Sequence, residues 1–267
     1  MGKRQTEVLE GDPADVAFFE ELLVAHRTRA FVRLMRWLPA DPRCRLCRSP
    51  FGGRVGSMMR RFGRGPSRKN PTMCSICFER APMGGVKLEI GVLFADVRGF
   101  TSLAENMDPD DVATLLNRFY AAASEVLTKS AIVDKLVGDE VMALYLPGII
   151  GERWVEDVVR DAGDLLTAVG YGSPEGPWLR LGVGIDIGQA YVGNVGAGDV
   201  KDFTALGDVV NTASRLQSAA SAGQIVMSER LFDRLMPPPP NARPVSLELK
   251  GKQDAEPARV LDLYPEG

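Results

Sequence analysis

An apolar run from Ile90 to Ala95 ends on a single carboxylate, Asp96, and is followed at once by Val97-Arg98-Gly99-Phe100-Thr101-Ser102. A short apolar run bounded by a turn reads as a buried strand. Its last carboxylate is therefore delivered to a strand end. Gly99 lets the backbone approach a ligand closely, and an amphipathic helix comes next. A carboxylate beside backbone N–H groups at a helix start suits a divalent ion together with phosphates. In KLVGDEVMALYL, 43 residues further on, Asp139 lies in a tight turn between two apolar strands. Two acids on two turns of one sheet could hold a metal pair for attack at phosphorus. Taken alone, Asp139 reads as an ordinary turn former.

The strands and helices around these acids alternate. Strand 87–95 leads to helix 110–128, hairpin 131–146, helix 152–169 and strand 179–187. A Gly-rich hairpin over 188–205, helix 209–220, strand 224–227, a short helix at 229–235 and a last hairpin (244–250 with 258–263) complete the pattern. This is the β-α-β-β-α-β order of a ferredoxin-like α+β fold with additions. It predicts a catalytic domain over residues 86–267. Pro82, Gly84 and Gly85 are expected to form a linker before it.

Charge divides the chain at the same place. Residues 1–85 hold 16 basic and 8 acidic side chains, and the remainder holds 16 and 27. Such asymmetry marks units with different partners. Residues 1–42 are expected to carry one amphipathic helix over Asp15–Leu38, stopped by Pro39 and Pro42. Its basic face suits peripheral contact with anionic lipid, while packing on its own domain or on a dimer partner is the favoured reading. No apolar run reaches the roughly 18 residues that span a bilayer. No uninterrupted apolar stretch before a small-residue cleavage site marks a signal peptide. A cytoplasmic protein is expected.

Residues 43–85 form a basic module containing all four cysteines, as Cys44-x-x-Cys47 and Cys74-x-x-Cys77 with 26 residues between the pairs. Paired C-x-x-C motifs in a reducing compartment suit four-thiolate Zn²⁺. An Fe–S cluster uses the same ligands, and free redox thiols are a third reading. Aromatic residues are sparse there, so no specific nucleic-acid partner is expected despite the basic charge.

Further along, Asn211 and Arg215 fall four apart on one predicted helix, hence on one face. Such a pair suits a ribose oxygen and a phosphoryl group, although a solvated face explains most such spacings. Lys135 precedes Asp139 by four strand residues, about 13 Å, too far for both to serve one small site. Two sites per sheet would imply a symmetric dimer. Lys250 and Lys252 flank Gly251 in a charged turn that could clamp a triphosphate. The GNVGAG string has the wrong glycine order for a dinucleotide fingerprint, and a P-loop is absent.

FADVRGFTSL, KLVGDEV and DFTALGDVVNTASRL together resemble the class III nucleotidyl cyclase catalytic domain, in order, over about residues 86–263. The resemblance implies a head-to-tail homodimer with two shared sites, each using two Mg²⁺ or Mn²⁺ ions. It implies conversion of ATP to 3′,5′-cyclic AMP and pyrophosphate. Metal ligation falls to Asp96, Val97 and Asp139. Base reading falls to Lys135 and Thr204, ribose orientation to Asn211, and transition-state charge to Arg215. Phosphates fall to Gly99, Phe100, Thr101 and Lys250. In this family the lysine faces one shared site and the acid faces the other. Thr204 is similar to the bacterial subgroup, where animal membrane cyclases carry Asp. The alternatives are a guanylyl or mixed-specificity cyclase, and a catalytically silent dimer scaffold whose N-terminal module binds nucleic acid or lipid.

Overall fold

The structure, a computed structural model, describes residues 13–23, 26–38, 42–68, 73–79, 81–197, 200–248 and 255–264. The helices are α1 (Pro13–Leu23), α2 (His26–Trp37), α3 (Gly53–Arg61), α4 (Ser75–Phe78), α5 (Phe100–Ala104), α6 (Pro109–Leu127), α7 (Pro147–Ile150), α8 (Trp154–Ala168), α9 (Asp208–Ala219) and α10 (Glu229–Phe232). The strands are β1 (Gly84–Val97), β2 (Ile132–Val137), β3 (Glu140–Tyr145), β4 (Leu181–Ala197), β5 (Val200–Leu206), β6 (Gln224–Ser228), β7 (Ala242–Leu247) and β8 (Glu256–Asp262). The chain forms two compact units, residues 1–87 with 191–204, and residues 88–190 with 205–267.

The second unit has the predicted α+β architecture. Its strands lie in the order β2-β3-β1-β4, which is what βαββαβ connectivity gives, and β6, β8 and β7 extend the sheet beyond β4. Alternation along β6 and β8 shows how both faces are covered. Ile225, Met227 and Leu261 join the main core with Phe119, Ala123 and Leu127 of α6 and Val158, Ala162 and Leu165 of α8. Val226, Ala258 and Val260 point the other way and pack with Leu216 of α9 and Ala220 just after it. The start of α6 follows from local chemistry. Asp108 accepts from the Asp110 N–H at 3.1 Å, and Pro109 occupies the first helical position.

Two buried acids brace this unit. Asp161 accepts from Tyr145 Oη at 3.1 Å and Arg160 Nη2 at 2.7 Å. Asp186 on β4 accepts from Arg230 Nε at 2.8 Å and Ser228 Oγ at 2.5 Å. Arg230 also stands 3.9 Å from Asp208, the first residue of α9, and so ties that helix to the sheet. Burial raises the Asp186 carboxyl, and the Arg230 guanidinium opposes the shift.

In the first unit, Arg43 Nη1 donates to the Met35 carbonyl at 2.6 Å, and its Nη2 donates to the Leu38 carbonyl, near the C-terminal end of α2. Arg64 lies 4.5 Å over the Phe31 ring.

Three expectations need correction. The predicted linker glycines are strand residues, since β1 begins at Gly84. A Cβ on Gly85 would come within 2.3 Å of the Val192 carbonyl oxygen, so glycine here permits backbone packing rather than a flexible joint. The expected single N-terminal helix is two described helices, α1 and α2, and residues 24–25 between them lie outside the described residues. The strand predicted to end at Ile187 runs on as β4 to Ala197.

Candidate active site

Asp96 and Asp139 are brought together by strand register. β1 and β3 pair antiparallel with Asp96 opposite Glu140, and Val137 opposite Glu140 closes β2 and β3 around a two-residue turn, Gly138-Asp139. Gly138 has φ +58°, the left-handed conformation that such a turn needs and that glycine adopts without strain. The Val97 N–H donates to the Asp139 carbonyl at 3.3 Å, and the Tyr120 hydroxyl donates to the Gly138 carbonyl. The turn is thereby tied to β1 and to α6.

Burial raises the Asp96 carboxyl from its ordinary 3.8 to about 6; the Asp139 charge adds to the rise, and Arg98 opposes it. Burial and the same Asp139 charge raise Glu140 and Tyr120. A half-buried acidic pair whose own repulsion pushes one member up is a site that a divalent cation relieves, and hard oxygen ligands suit Mg²⁺ or Mn²⁺. The donor set therefore fits the implied ions. Gly99, at φ +74°, turns the chain out of β1 into α5, leaving Thr101 exposed and Phe100 partly packed against the core.

Arg98 and Gln217 were not anticipated. Arg98 Nη2 stands 3.5 Å from Asp96 Oδ2 and donates to the Gln217 carbonyl at 2.9 Å, and Gln217 offsets part of the rise in the Asp96 carboxyl. The Arg98 N–H donates to the Arg180 carbonyl at 2.7 Å. A Cβ on Gly182 would lie 2.4 Å from Arg98 Nε, so this glycine makes room for the guanidinium. The only signal in the sequence is that Arg98 lies within the VRGF turn. Gln217 carried none.

Gln217 lies on the buried face of α9, beside Arg98, and this orients the helix. At about 100° per residue, Arg215 and Asn211 project roughly 160° and 120° around the axis from Gln217. They therefore point away from the Asp96 of their own chain. Asn211 is exposed and Arg215 half-buried, with no carboxylate paired to Arg215 among the described residues. Lys135 lies on β2 opposite Met142, and its side chain is outside the described residues. Thr204 is buried on β5 in the first unit. Lys250 lies outside the described residues.

In the first unit the four cysteines converge. All are buried, and their sulfurs lie within 4.8 Å of one another. Among the described residues, no helix is long and apolar enough to cross a membrane.

Residues 86–257 match the adenylate and guanylate cyclase catalytic domain. The chain belongs to this class III cyclase family. The chain is 29% identical over 197 residues to an adenylate cyclase of Anabaena cylindrica, covering 66% of this chain and 38% of that protein. It spans well under half the length of such curated relatives. Among solved structures, the adenylyl cyclase CyaB of P. aeruginosa is 29% identical with a TM-score of 0.57, covering 67% of this chain and 97% of that one. The guanylyl cyclase Cya2 is 25% identical with a TM-score of 0.59, covering 67% and 93%.

The acidic pair makes a stability prediction for the metal-free protein. Asp96 holds a proton when folded that it has lost when unfolded, between its ordinary 3.8 and about 6. Its contribution is full below pH 3.8 and is lost as pH rises through 6. The full shift corresponds to about 3 kcal/mol, and solvent screening reduces this to roughly 1–2 kcal/mol. Urea unfolding of wild type and Asp96→Asn in EDTA tests it. The wild type should lose that amount relative to the variant between pH 4 and 7, and parallel pH profiles would refute the coupling.

Proposed function

We propose that this chain is an adenylyl cyclase that converts ATP to 3′,5′-cyclic AMP and pyrophosphate at sites shared by two copies of itself. The observation that carries this reading is the acidic pair Asp96–Asp139 set against Asn211 and Arg215 that face away from it. One chain then offers both halves of a site but not to itself, and a head-to-tail homodimer completes two sites.

In the reaction the ribose 3′-oxygen attacks the α-phosphorus. The bond from that phosphorus to the bridging oxygen breaks, pyrophosphate leaves, and the hydroxyl proton passes to solvent. Two Mg²⁺ or Mn²⁺ ions, held by Asp96, Asp139 and the Val97 carbonyl, would supply Lewis acidity for the 3′-hydroxyl and the triphosphate. Backbone N–H groups of the Gly99–Thr101 turn cradle phosphate oxygens, with Phe100 seating the turn. Asn211 orients the ribose. Arg215 meets charge developing at the α-phosphoryl group. Lys250 binds the triphosphate tail. Arg98 and Gln217 position Asp96. Lys135 and Thr204 read adenine, and the Thr204 hydroxyl can both donate and accept, as in the bacterial subgroup. The N-terminal module, with a metal on its four cysteines, acts as the regulatory element of a cytoplasmic enzyme.

Purified protein incubated with Mn²⁺ and either ATP or GTP, with products separated by chromatography, tests the reading. Cyclic AMP and pyrophosphate should form, with cyclic GMP at least about tenfold slower, the discrimination of one or two hydrogen bonds. Excess cyclic GMP would make it a guanylyl cyclase, and no product would leave a scaffold. Lys135→Glu should then lower kcat/KM for ATP by about 10–100-fold and raise the relative use of GTP, because an acid accepts from the guanine edge. An unchanged ATP-to-GTP ratio would remove Lys135 from base reading.

A further inference from the structure

The four cysteine sulfurs are brought to one point, from two separate pieces of chain. Cys44 and Cys47 sit on a tight loop in which the Cys44 N–H donates to the Ser49 carbonyl at 2.9 Å and the Arg48 N–H donates to the Cys44 carbonyl at 3.0 Å. Arg48 takes a φ of +59°, which turns the chain back sharply after the second thiol. Cys74 caps α4 and Cys77 lies within its single turn, with the Phe78 N–H donating to the Cys74 carbonyl at 3.0 Å. A knuckle thus faces a helix start, and the bridges Arg43–Pro50 and Pro66–Cys74 hold the two pieces.

The spacing of the sulfurs discriminates between a single ion and a cluster. A Zn²⁺ ion with Zn–S bonds of about 2.3 Å in tetrahedral geometry sets its sulfurs about 3.8 Å apart. Cys47 Sγ and Cys74 Sγ are 3.7 Å apart, and all four sulfurs fall within 4.8 Å. An iron–sulfur cluster spreads its four thiolates over two or more irons with sulfide between them, and such a cluster does not fit inside this set. The thiols are free, so no disulfide explains their convergence.

The surroundings are those of thiolates. The Cys74 N–H points at Cys44 Sγ at 3.2 Å, Ser49 Oγ lies 3.1 Å from Cys47 Sγ, and Arg64 Nη1 donates to Cys47 Sγ at 3.5 Å. Outer hydrogen bonds and a cation of this kind orient ligands and offset the charge of a four-thiolate centre. Arg64 also stacks on Phe31 of α2.

The same unit contains the β4–β5 hairpin. Four residues after Cys77, Ala81 is buried, and Asn194 Nδ2 on β4 donates to the Ala81 carbonyl at 3.4 Å and the Pro82 carbonyl at 2.8 Å. Next to this anchor the two backbones meet without side chains, since a Cβ on Gly193 would lie 2.2 Å from the Gly84 carbonyl oxygen. We propose that Cys44, Cys47, Cys74 and Cys77 hold a single Zn²⁺ ion, and that this ion fixes the Ala81–Pro82 anchor on which the β4–β5 hairpin rests. The hairpin carries Thr204, so the consequence for nucleotide handling rests on the cyclase reading, whereas the ion does not.

Metal analysis and hydrogen exchange on the full chain test both parts. Elemental analysis should find about one zinc and no sulfide per chain. Cobalt-substituted protein should show the intense visible bands of a tetrahedral thiolate site. Cys77→Ser should lower zinc at least tenfold. Amides of 81–87 and 191–204 should then exchange at least tenfold faster, while those of 90–96 and 183–187 stay protected. The KM for ATP should rise with kcat less affected. Arg64→Gln, which leaves all four ligands in place, should retain zinc but release it faster to a chelator. Iron with sulfide, or four freely titratable thiols in a folded module, would overturn the ion. Zinc loss with unchanged exchange in 191–204 would overturn the coupling. One zinc per chain in a protein without cyclase activity would support the ion and count against the cyclase reading alone.

Discussion

Asp96→Ala and Asp139→Ala should each lower the conversion of ATP to cyclic AMP by at least about 10²-fold, the scale on which lost transition-state charge stabilisation shows. Loss of fold does not account for this expectation. Burial, with the Asp139 charge added, raises the Asp96 carboxyl to about 6, and removing either acid relieves part of that cost, so the metal-free variants should be as stable at pH 7 as the wild type or more so. The loss should fall mainly in kcat at saturating Mn²⁺, and added Mn²⁺ should stabilise the wild type against heat but not the variants. Turnover near that of the wild type in either variant would refute the two-metal assignment. An Arg98→Gln variant separates positioning from ligation. Arg98 touches Asp96 and Gln217 but has no assigned contact with substrate, so its loss should weaken apparent Mn²⁺ affinity more than kcat at saturating metal.

Mixing inactive Asp96→Ala with inactive Arg215→Ala should restore activity. Gln217 lies beside the Arg98 that pairs with Asp96, and Arg215 projects roughly 160° around the helix from Gln217, so the arginine should serve the acids of the other copy. A heterodimer of the two variants holds one doubly damaged site and one intact site. With free exchange at equal concentrations, half the dimers are mixed, and about a quarter of wild-type activity should return. Mixing Asp96→Ala with Asp139→Ala should restore none, because both lesions fall on the same half of a site. Absence of recovery with the first pair, despite demonstrated subunit exchange, would refute the shared sites.

The sequence alone determined the order of the main strands and helices of the second unit and marked the residues proposed to carry the chemistry. The apolar run Ile90–Ala95, the Gly138-Asp139 turn and the amphipathic helices are encoded by spacings of a few residues, and such local patterns survive in any fold that uses them. The two C-x-x-C pairs could be read in the same way. Tertiary structure decided which of these pieces meet. Asp96 and Asp139 are 43 residues apart and become neighbours only through the pairing of β1 with β3, a register set by burial along both strands. Arg98 and Gln217 are 119 residues apart, and nothing local in either segment announces their contact. Gly84 and Gly85 looked like a joint because glycine next to proline usually is one. In the structure they are strand residues, because the backbone of β4 comes too close for a side chain. Local propensity is a property of the segment that carries it, whereas close approach is a property of two segments at once. The sulfur spacing that favours a single ion over a cluster is of the second kind: 26 intervening residues fix no distance, and the knuckle packed against α4 does.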